Sequence, residues 1–497
     1  MKRCLFYFPF VALVLLAGVQ CSSDPSCEES RTCATPTDDG GVDSGFDGPP
    51  VPEGCDPNAE AKDAPKCVVN EYGVFVDAAG GNDANPGTKE SPKKTIGAAL
   101  TALGGKPRVY VCDGSYSGTI EMKGGVAVYG GFACGTWSYT GARPKVTANA
   151  AGDFALRIAG VSDAITIADV ELIALAGTEA APSSIAAFVS DSSKVTLKRV
   201  RLVAAAGAKG KDGTAGTTGV PTPADLNGNP GGAGAGGLGG AAKSCTCSSG
   251  GSSKGGKGGD PAVNGEAGEA AMATPDPPTA TGEGSTAIDC ANLGSGGRPG
   301  SNAPAAANAA SPSVIATVDA TGLKPTAGAN GTAGIPGQGG GGGGGAGGAG
   351  AGGGGGGACG GCGGTGGGGG GGGGASVALL TFKSAVTVQS SELVAANAGD
   401  GGTGMDGGAG QDGGIKGTQG AGACAGGNGG KGGKGGAGAG GGGGISAGIV
   451  HDKSTAPIID DATKNATTIG TAGAKGNGGA VGVNDGIAGV ADKIVPL

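Results

Sequence analysis

Between Tyr72 and Val203 the chain repeats short runs in which Val, Ile, Leu, Phe or Tyr alternate with small or polar residues. Gly, Asp and Asn separate the runs. YGVFVDA, RVYVC, GTIEM, VAVYGGFAC, FALRIAG, DAITIADVEL, IAAFVS and KVTLKRVRLV each read as strand, because β-branched and aromatic residues at period two suit a pleated, half-buried surface. NDANPGT reads as a turn cluster. One segment departs from this pattern. In SPKKTIGAALTAL, Ile96, Ala99, Leu100 and Leu103 recur at helical spacing, with Ser91 placed to cap a helix whose first position is Pro92. A single amphipathic helix ahead of a strand series predicts a cap.

Three segments share a pattern: AITIADVELIALAG from Ala164, KVTLKRVRLVAAAG from Lys194 and AVTVQSSELVAANAG from Ala385. Each alternates, steps through a polar residue and ends on an aliphatic pair with small residues. Repeats of this length read as coils of a β-solenoid. The first two copies are close in sequence; the third lies roughly 190 residues further on, the displacement being almost all glycine-rich. If Val195 and Val386 sit on successive coils, the tract between them leaves at a turn and returns to the stack. Loop closure permits this, since its cost rises only about 0.6 kcal/mol per doubling of length.

Glycine changes the picture most. There are 120 in 497 residues, against an average near 7%. Aromatic residues after Phe188 dwindle to Phe382, so the conventional core is expected mostly between about residues 70 and 203. Glycine recurs every third residue from Gly207 to Gly219, from Gly328 to Gly340 and from Gly401 to Gly413. That period fits either disordered tracts or extended three-fold helices packed side by side, like polyglycine II.

The expected organisation is a signal peptide (1–20), an acidic disordered tether (21–66), a β-helix with N-terminal cap (67–204), a glycine-rich insertion (205–375), a further coil (376–397), a second insertion (398–444) and a terminal coil with tail (445–497). The signal reading rests on Lys2 and Arg3 followed by LFYFPFVALVLLAGV, an apolar run short for a membrane span. Cys21 follows it, in the place of a lipidated N-terminal cysteine. Residues 21–66 hold eleven Asp or Glu against three Lys or Arg, which accounts for the whole net charge of −8. No basic cluster supports nucleic-acid binding. Of fourteen cysteines, removing Cys4 and Cys21 leaves an even number, which reads as disulfides in an oxidising compartment. Cys55, Cys67, Cys112 and Cys134 are candidate partners. The six from Cys245 to Cys424 leave every pairing open.

VFVDAAGGNDANPGTKESPKKTIGAAL followed by RVYVCDGSYSGTIEMKGGVAVYGGFACGTW resembles the opening of pectin-lyase-like right-handed parallel β-helix proteins. CDPNAEAKDAPKCVVNEYGVFVDA, GGFACGTW and the GGAGAGG tracts resemble glycine-rich, PGRS-like surface lipoproteins of myxobacteria. The resemblance implies an all-β chain built as a right-handed parallel β-helix with a short N-terminal capping helix, at the cell envelope. It implies no established activity. The helical Pro-Glu domain of mycobacterial PGRS proteins is absent; Pro52 and Glu53 lie in the acidic segment instead.

Candidate chemistry is thin. A glycoside hydrolase needs paired carboxylates, and the adjacent Asp460 and Asp461 would point to opposite faces of a strand. His451 is the sole histidine and lacks a Gly-His-Gly setting. Asp163, Asp169, Glu171, Lys198, Arg199 and Arg201 could form a lyase-like charged face or ordinary solvent-facing alternation. Cys359 and Cys362 with Cys245 and Cys247 could hold zinc, though disulfides suit an exported chain better. Asp77, Asn82, Asp83 and Asn85 offer calcium ligands or turn caps. Trp137 and Tyr139 could stack on sugar or cover an exposed core. The expectation is a secreted, lipid-anchored envelope protein, outer-membrane and surface-exposed or alternatively periplasmic or secreted. It would be structural or adhesive, without cofactor or metal, meeting polysaccharide, matrix or neighbouring cells and touching the membrane only through its anchor. The alternative is a polysaccharide-active lyase or hydrolase.

Overall fold

The computed structural model describes residues 49–269, 282–286, 290 and 296–497. The signal segment, Cys21, Cys27, Cys33 and the acidic residues before 49 lie outside the described residues.

Nearly all regular structure is β, and the strands of the three large sheets are parallel. The first sheet stacks seven strands in the order Gly73–Val76, Arg108–Cys112, Ala127–Phe132, Ile165–Ala168, Val195–Lys198, Val386–Gln389 and Ile458–Ile459. The second stacks five, Ser115–Ser117, Lys145–Thr147, Glu171–Ala174, Arg201–Ala204 and Glu392–Ala395. The third stacks six, Ile120–Met122, Leu156–Ala159, Ser184–Ser190, Ser376–Phe382, Ser446–His451 and Ala491–Pro496. From Arg108 onward the chain visits first, second and third sheet in turn and then begins again, an arrangement consistent with a parallel β-helix.

Period two decides which residues enter the space between the sheets. In the first sheet Val74, Val109, Val128, Ile167, Leu197 and Val388 are successive partners in register. In the second, Val146, Leu172, Leu202 and Leu393 follow one another. In the third the column is Leu156, Ala187, Leu379, Ile449 and Ile494. The core therefore extends well beyond residue 203, because coils built from residues 376–395 and 446–496 add to the same columns. Val195 pairs with both Ile165 and Val386, so the repeat read from the sequence is a repeat of coils.

Two long candidate strands break in the middle. Within DAITIADVEL and KVTLKRVRLV the chain turns between the first and second sheets at Asp169 and Arg199, both with φ near +50°. The helix also differs from expectation. It spans Ile96–Thr101 and is capped by Thr95, whose hydroxyl accepts from the Ala98 N–H at 3.2 Å. Ser91 and Pro92 lie outside it because Lys93 is drawn into extended pairing beside the first strand, donating to the Phe75 carbonyl and accepting from the Asp77 N–H.

The outer face of the first sheet carries an aromatic column, Phe75, Tyr110, Tyr129 and Phe132, joined by Trp137. Residues 49–66, expected within a disordered tether, pack there instead: Ala61 is buried against this column and Cys55 is bonded to Cys67. Cys112 is bonded to Cys134 across adjacent coils.

Among the described residues, much of the glycine-rich insertions forms ordered rods. Every long excursion leaves at one corner, after a second-sheet strand, and returns into the third sheet. Outgoing rods lie side by side, with Gly207, Gly210, Gly213 and Gly216 donating to the carbonyls of Asn397, Asp400, Thr403 and Asp406. Returning rods do the same, Gly361, Gly364, Gly367, Gly370 and Gly373 donating to Gly430, Gly433, Gly436, Ala439 and Gly442. Two layers of rods thus continue the second and third sheets outward. A third layer, residues 326–343, runs antiparallel on the returning layer through bonds such as Gly328 to Gly370 and Gly331 to Gly367. The hydrogen bonds repeat every third residue, as polyglycine-II geometry requires.

Glycine spacing now has a physical meaning. The rod of residues 353–374 is surrounded by others on most sides, and a Cβ added at Gly364 or Gly367 would fall on the carbonyl oxygen of Gly408 or Met405. The run of glycines feeding into SVALLTF is this central rod. In residues 426–436 the third position of each triplet faces outward and carries Asn428, Lys431 and Lys434. Where an N–H lacks a neighbouring rod, Asn or Asp side chains replace it: Asp212 accepts from Thr403, Asn302 from Lys431 and Asn308 from Ala437, at 2.7 to 2.9 Å.

Candidate functional site

The charged residues singled out from the sequence meet on the outer side of the turn between the first two sheets. Arg199 binds Asp169 through two bonds, Nε to Oδ1 at 2.7 Å and Nη2 to Oδ2 at 2.8 Å, and also reaches Glu60 at 2.6 Å. Lys198 holds the other Glu60 oxygen at 2.9 Å. Arg201 pairs with Glu171 and Glu392, and Arg143 also binds Glu392 at 2.6 Å. The spacing of one coil places these side chains above one another. Asp163 is exposed in the turn before Ile165 and has no ion-pair partner among the described residues.

This arrangement favours fixed charges. Burial would raise the Glu60 carboxyl, but hydrogen bonds from Lys198 and Arg199 and their charges outweigh it and hold Glu60 below its ordinary value. Arg143 likewise depresses Glu392. The Asp169 hydrogen bonds push Arg199 further up. A general acid needs a carboxyl shifted upward, and the resolved shifts on carboxyls run downward. The ladder is suited to clamping Glu60, and with it the 49–66 segment, onto the stack.

Arg108 completes the clamp. It is 3% exposed, sandwiched between the rings of Tyr72 and Tyr129 at 5.2 and 5.4 Å, and its Nη2 donates to the carbonyls of Pro57 and Ala59. In the sequence this residue is one charge at the start of a strand, and no pattern there distinguishes it.

The remaining candidates serve local structure. Asp77 accepts from the N–H groups of Ala79 and Gly80, Asn82 from Ala84, and Asp83 from Lys94 and Thr95. Asn85 donates to the Pro92 carbonyl. All four organise turns. Trp137 is buried edge-on against Phe75 and donates to the Lys89 carbonyl; Tyr139 donates to Asp169. His451 ends a buried strand, its ring Nδ1 2.7 Å from the Asp452 carbonyl. Asp460 is not on a strand: it caps the helix Asp461–Ala466, accepting from Thr463, and its other oxygen accepts from Ser390. The four cysteines considered for zinc form two disulfides, Cys245 with Cys359 and Cys247 with Cys362, and Cys290 joins Cys424. The first two bonds fasten the hairpin of residues 243–255 to the central rod, and the third ties Cys290 to the start of the last returning rod.

Two surfaces could meet a partner. A cleft of about 550 Å³ lies between the helix Ile96–Thr101 and the first strand of the third sheet, with Leu100, Leu103, Met122 and Val126 on its floor and Glu121 and Lys123 at its rim. The larger surface is the bundle itself. Its outgoing layer exposes Lys209, Asp212, Asp400, Asp406 and Asp412, whereas the third layer exposes Asn330 and Ala333, and the rod of residues 300–309, which pairs with residues 428–437, exposes Asn302, Ala305 and Asn308. Outward positions recur every three residues, about 9 Å apart. Composition announced these tracts, but only the pairing of residues far apart in sequence gives them flat faces.

No curated protein and no solved structure matches this chain. A family model described as a protein of unknown function (DUF1565), a family found in β-helix proteins, matches residues 79–177, the segment that forms the cleft and the early coils.

Proposed function

We propose that this protein is a structural or adhesive component of the cell surface, in which a right-handed parallel β-helix capped by the Ile96–Thr101 helix holds out a bundle of polyglycine-like rods. On this reading the chain is exported, lipidated at Cys21 and displayed at the outer membrane, like the PGRS-like surface lipoproteins it resembles. The observation that carries the proposal is the bundle: backbone rods braced by disulfides, with mostly small, polar or charged residues at the positions that face outward. Such a face allows a partner to approach main-chain groups closely and repeatedly. Extended polysaccharide or matrix polymer is the partner class that suits a long, regular, weakly charged surface. Ion pairing of Asp169, Glu171, Glu60 and Glu392 supports a framework role for the charged ladder.

The test is protease shaving of intact cells with metabolic lipid labelling of the protein and its Cys21→Ala variant. Cleavage within the bundle's outward positions on intact cells, with label that depends on Cys21, is expected. Protection together with absence of label would overturn surface display and direct the next assay to polysaccharide cleavage.

A further inference from the structure

Among the described residues the central rod is left bare along one side. Its N–H groups at Gly374, Gly371, Gly368 and Thr365 donate to the carbonyls of Ala208, Lys211, Thr214 and Thr217, forming a regular ladder with the first outgoing rod. The four reciprocal N–H groups of that outgoing rod are treated unequally. Ala208 donates to the carbonyl of Pro182, where the short loop of the preceding coil returns. Thr217 donates to the Thr365 hydroxyl at 2.7 Å. Between them Lys211 and Thr214 have no acceptor among the described residues.

The opposing residues differ in the same order. A Cβ at Gly374 would fall on the Pro182 carbonyl, so glycine is required there by a chain that is present. At Gly371 and Gly368 the added Cβ would meet chiefly the free N–H groups of Lys211 and Thr214, at 2.9 and 2.6 Å. Among the described residues no rod passes over them. On the opposite flank of the bundle, the outward positions without a covering rod carry Asn428, Lys431 and Lys434. The carbonyls of Gly369 and Gly372, beside the same gap, also accept no bond among the described residues.

We infer that this gap is a seat for one more rod: an extended polypeptide with glycine at every third residue, supplied by a second chain. It would continue the line begun by Pro182 for two turns, accepting from Lys211 and Thr214 and donating to Gly369 and Gly372. Thr365 ends the seat, its hydroxyl standing where the next carbonyl of the added rod would be. A guest requires both donors and acceptors, which excludes an all-proline helix. Absence of side chains on the floor requires it to be slim.

The inference rests on the bundle geometry and is independent of surface display. It is tested with the full disulfide-bonded chain and a fluorescently labelled synthetic peptide of residues 205–219, itself a rod with glycine at every third position. Anisotropy should show saturable binding, and a peptide with those glycines changed to alanine should not bind. Gly371→Thr copies the native Thr365 stop and should weaken binding by about tenfold, the loss expected for one to two hydrogen bonds. In the unaltered chain, amide exchange at Lys211 and Thr214 should slow when peptide is added, a readout that does not depend on the variant folding. No binding at millimolar peptide, or binding without protection of these two amides, would overturn the seat and leave it to water.

Discussion

The β-stack and the rod bundle solve the same problem with opposite materials. In the stack, side chains are the adhesive: three columns of Val, Ile and Leu meet between the sheets, and backbone bonds set the register. In the bundle the side chain is the obstacle. Rods approach until carbonyl oxygens occupy the places of absent Cβ atoms, and cohesion comes from main-chain hydrogen bonds that leave few buried amides unpaired. Glycine content here therefore measures how many neighbours a rod has. Rods with glycine at one position in three pack on one side, and the nearly pure rod lies at the centre.

Adding carbon to the bundle should have the largest effect. Gly367→Val would drive a branched side chain into the Met405 carbonyl, which belongs to backbone held on both sides. Rods cannot separate at one residue without losing neighbouring bonds, so the expected loss exceeds about 4 kcal/mol, in the exceptional class for one substitution. Differential scanning calorimetry should show a bundle transition lost or moved far down while the stack still melts. A single unchanged transition would refute the backbone account of cohesion.

Removing carbon from the stack should do the converse. Leu197 is fully buried in the first sheet's column between Ile167 and Val388. Leu197→Ala should cost about 3 kcal/mol, mid-range for a buried leucine, read as lowered denaturant midpoint. Proteolysis within residues 353–374 should change only as far as the stack itself loosens.

Much of the stack was legible because period two and the thirty-residue recurrence survive in the residues themselves. Ala164, Lys194 and Ala385 begin segments whose hydrophobic pattern names their partners, even across the long insertion. Ser115–Ser117 and Lys145–Thr147 were not legible, since three residues show no period. Ser91 and Thr95 both suit a helix cap, and the choice was made by Lys93 pairing beside Val76. In the bundle, period three marked the rods but not their condensation. A three-fold helix makes no bonds within itself, so order depends on partners such as Gly361 and Gly430, and identical residues cannot advertise a register. Of the candidate site residues, Asp169, Glu171, Lys198, Arg199 and Arg201 do come together. Their partner Glu60 was hidden in a segment whose charge argued for a solvated tether.

A smaller effect tests the clamp that joins this segment to the stack. The Glu60 carboxyl is held below its ordinary value of 4.5 in the folded protein. A depressed folded value means that the stabilisation is fully present above about pH 4.5 and is lost as pH falls through the folded value. The pair is partly exposed, so its worth is about 1 kcal/mol at most. Trp137 shares the aromatic cluster with Ala61 and is the only tryptophan, so its fluorescence reports on the covering segment. Its emission should change as pH falls below about 4.5, and Glu60→Gln should already show the altered signal at neutral pH with that part of the titration missing. A transition identical in Glu60→Gln would assign the change to another carboxylate.

The least effect is expected where the bundle meets solvent. Lys434 occupies an outward third position, half-exposed, and pairs with Asp406 at 2.6 Å. Its backbone carbonyl accepts from Ala306, a bond that any residue can supply. Lys434→Ala keeps the rod and removes a surface ion pair, so stability should change by less than about 0.5 kcal/mol. Gly433, the preceding residue, donates to Ile335, and a Cβ there would fall on the Pro304 carbonyl. Parallel thermal melts of Lys434→Ala and Gly433→Ala therefore compare two alanines one residue apart. Tolerance at 434 with loss at 433 is the outcome that a three-fold rod demands, because adjacent residues face different neighbours. Equal tolerance would mean that the rods are looser than their hydrogen bonds imply, and that glycine is present for a reason other than packing.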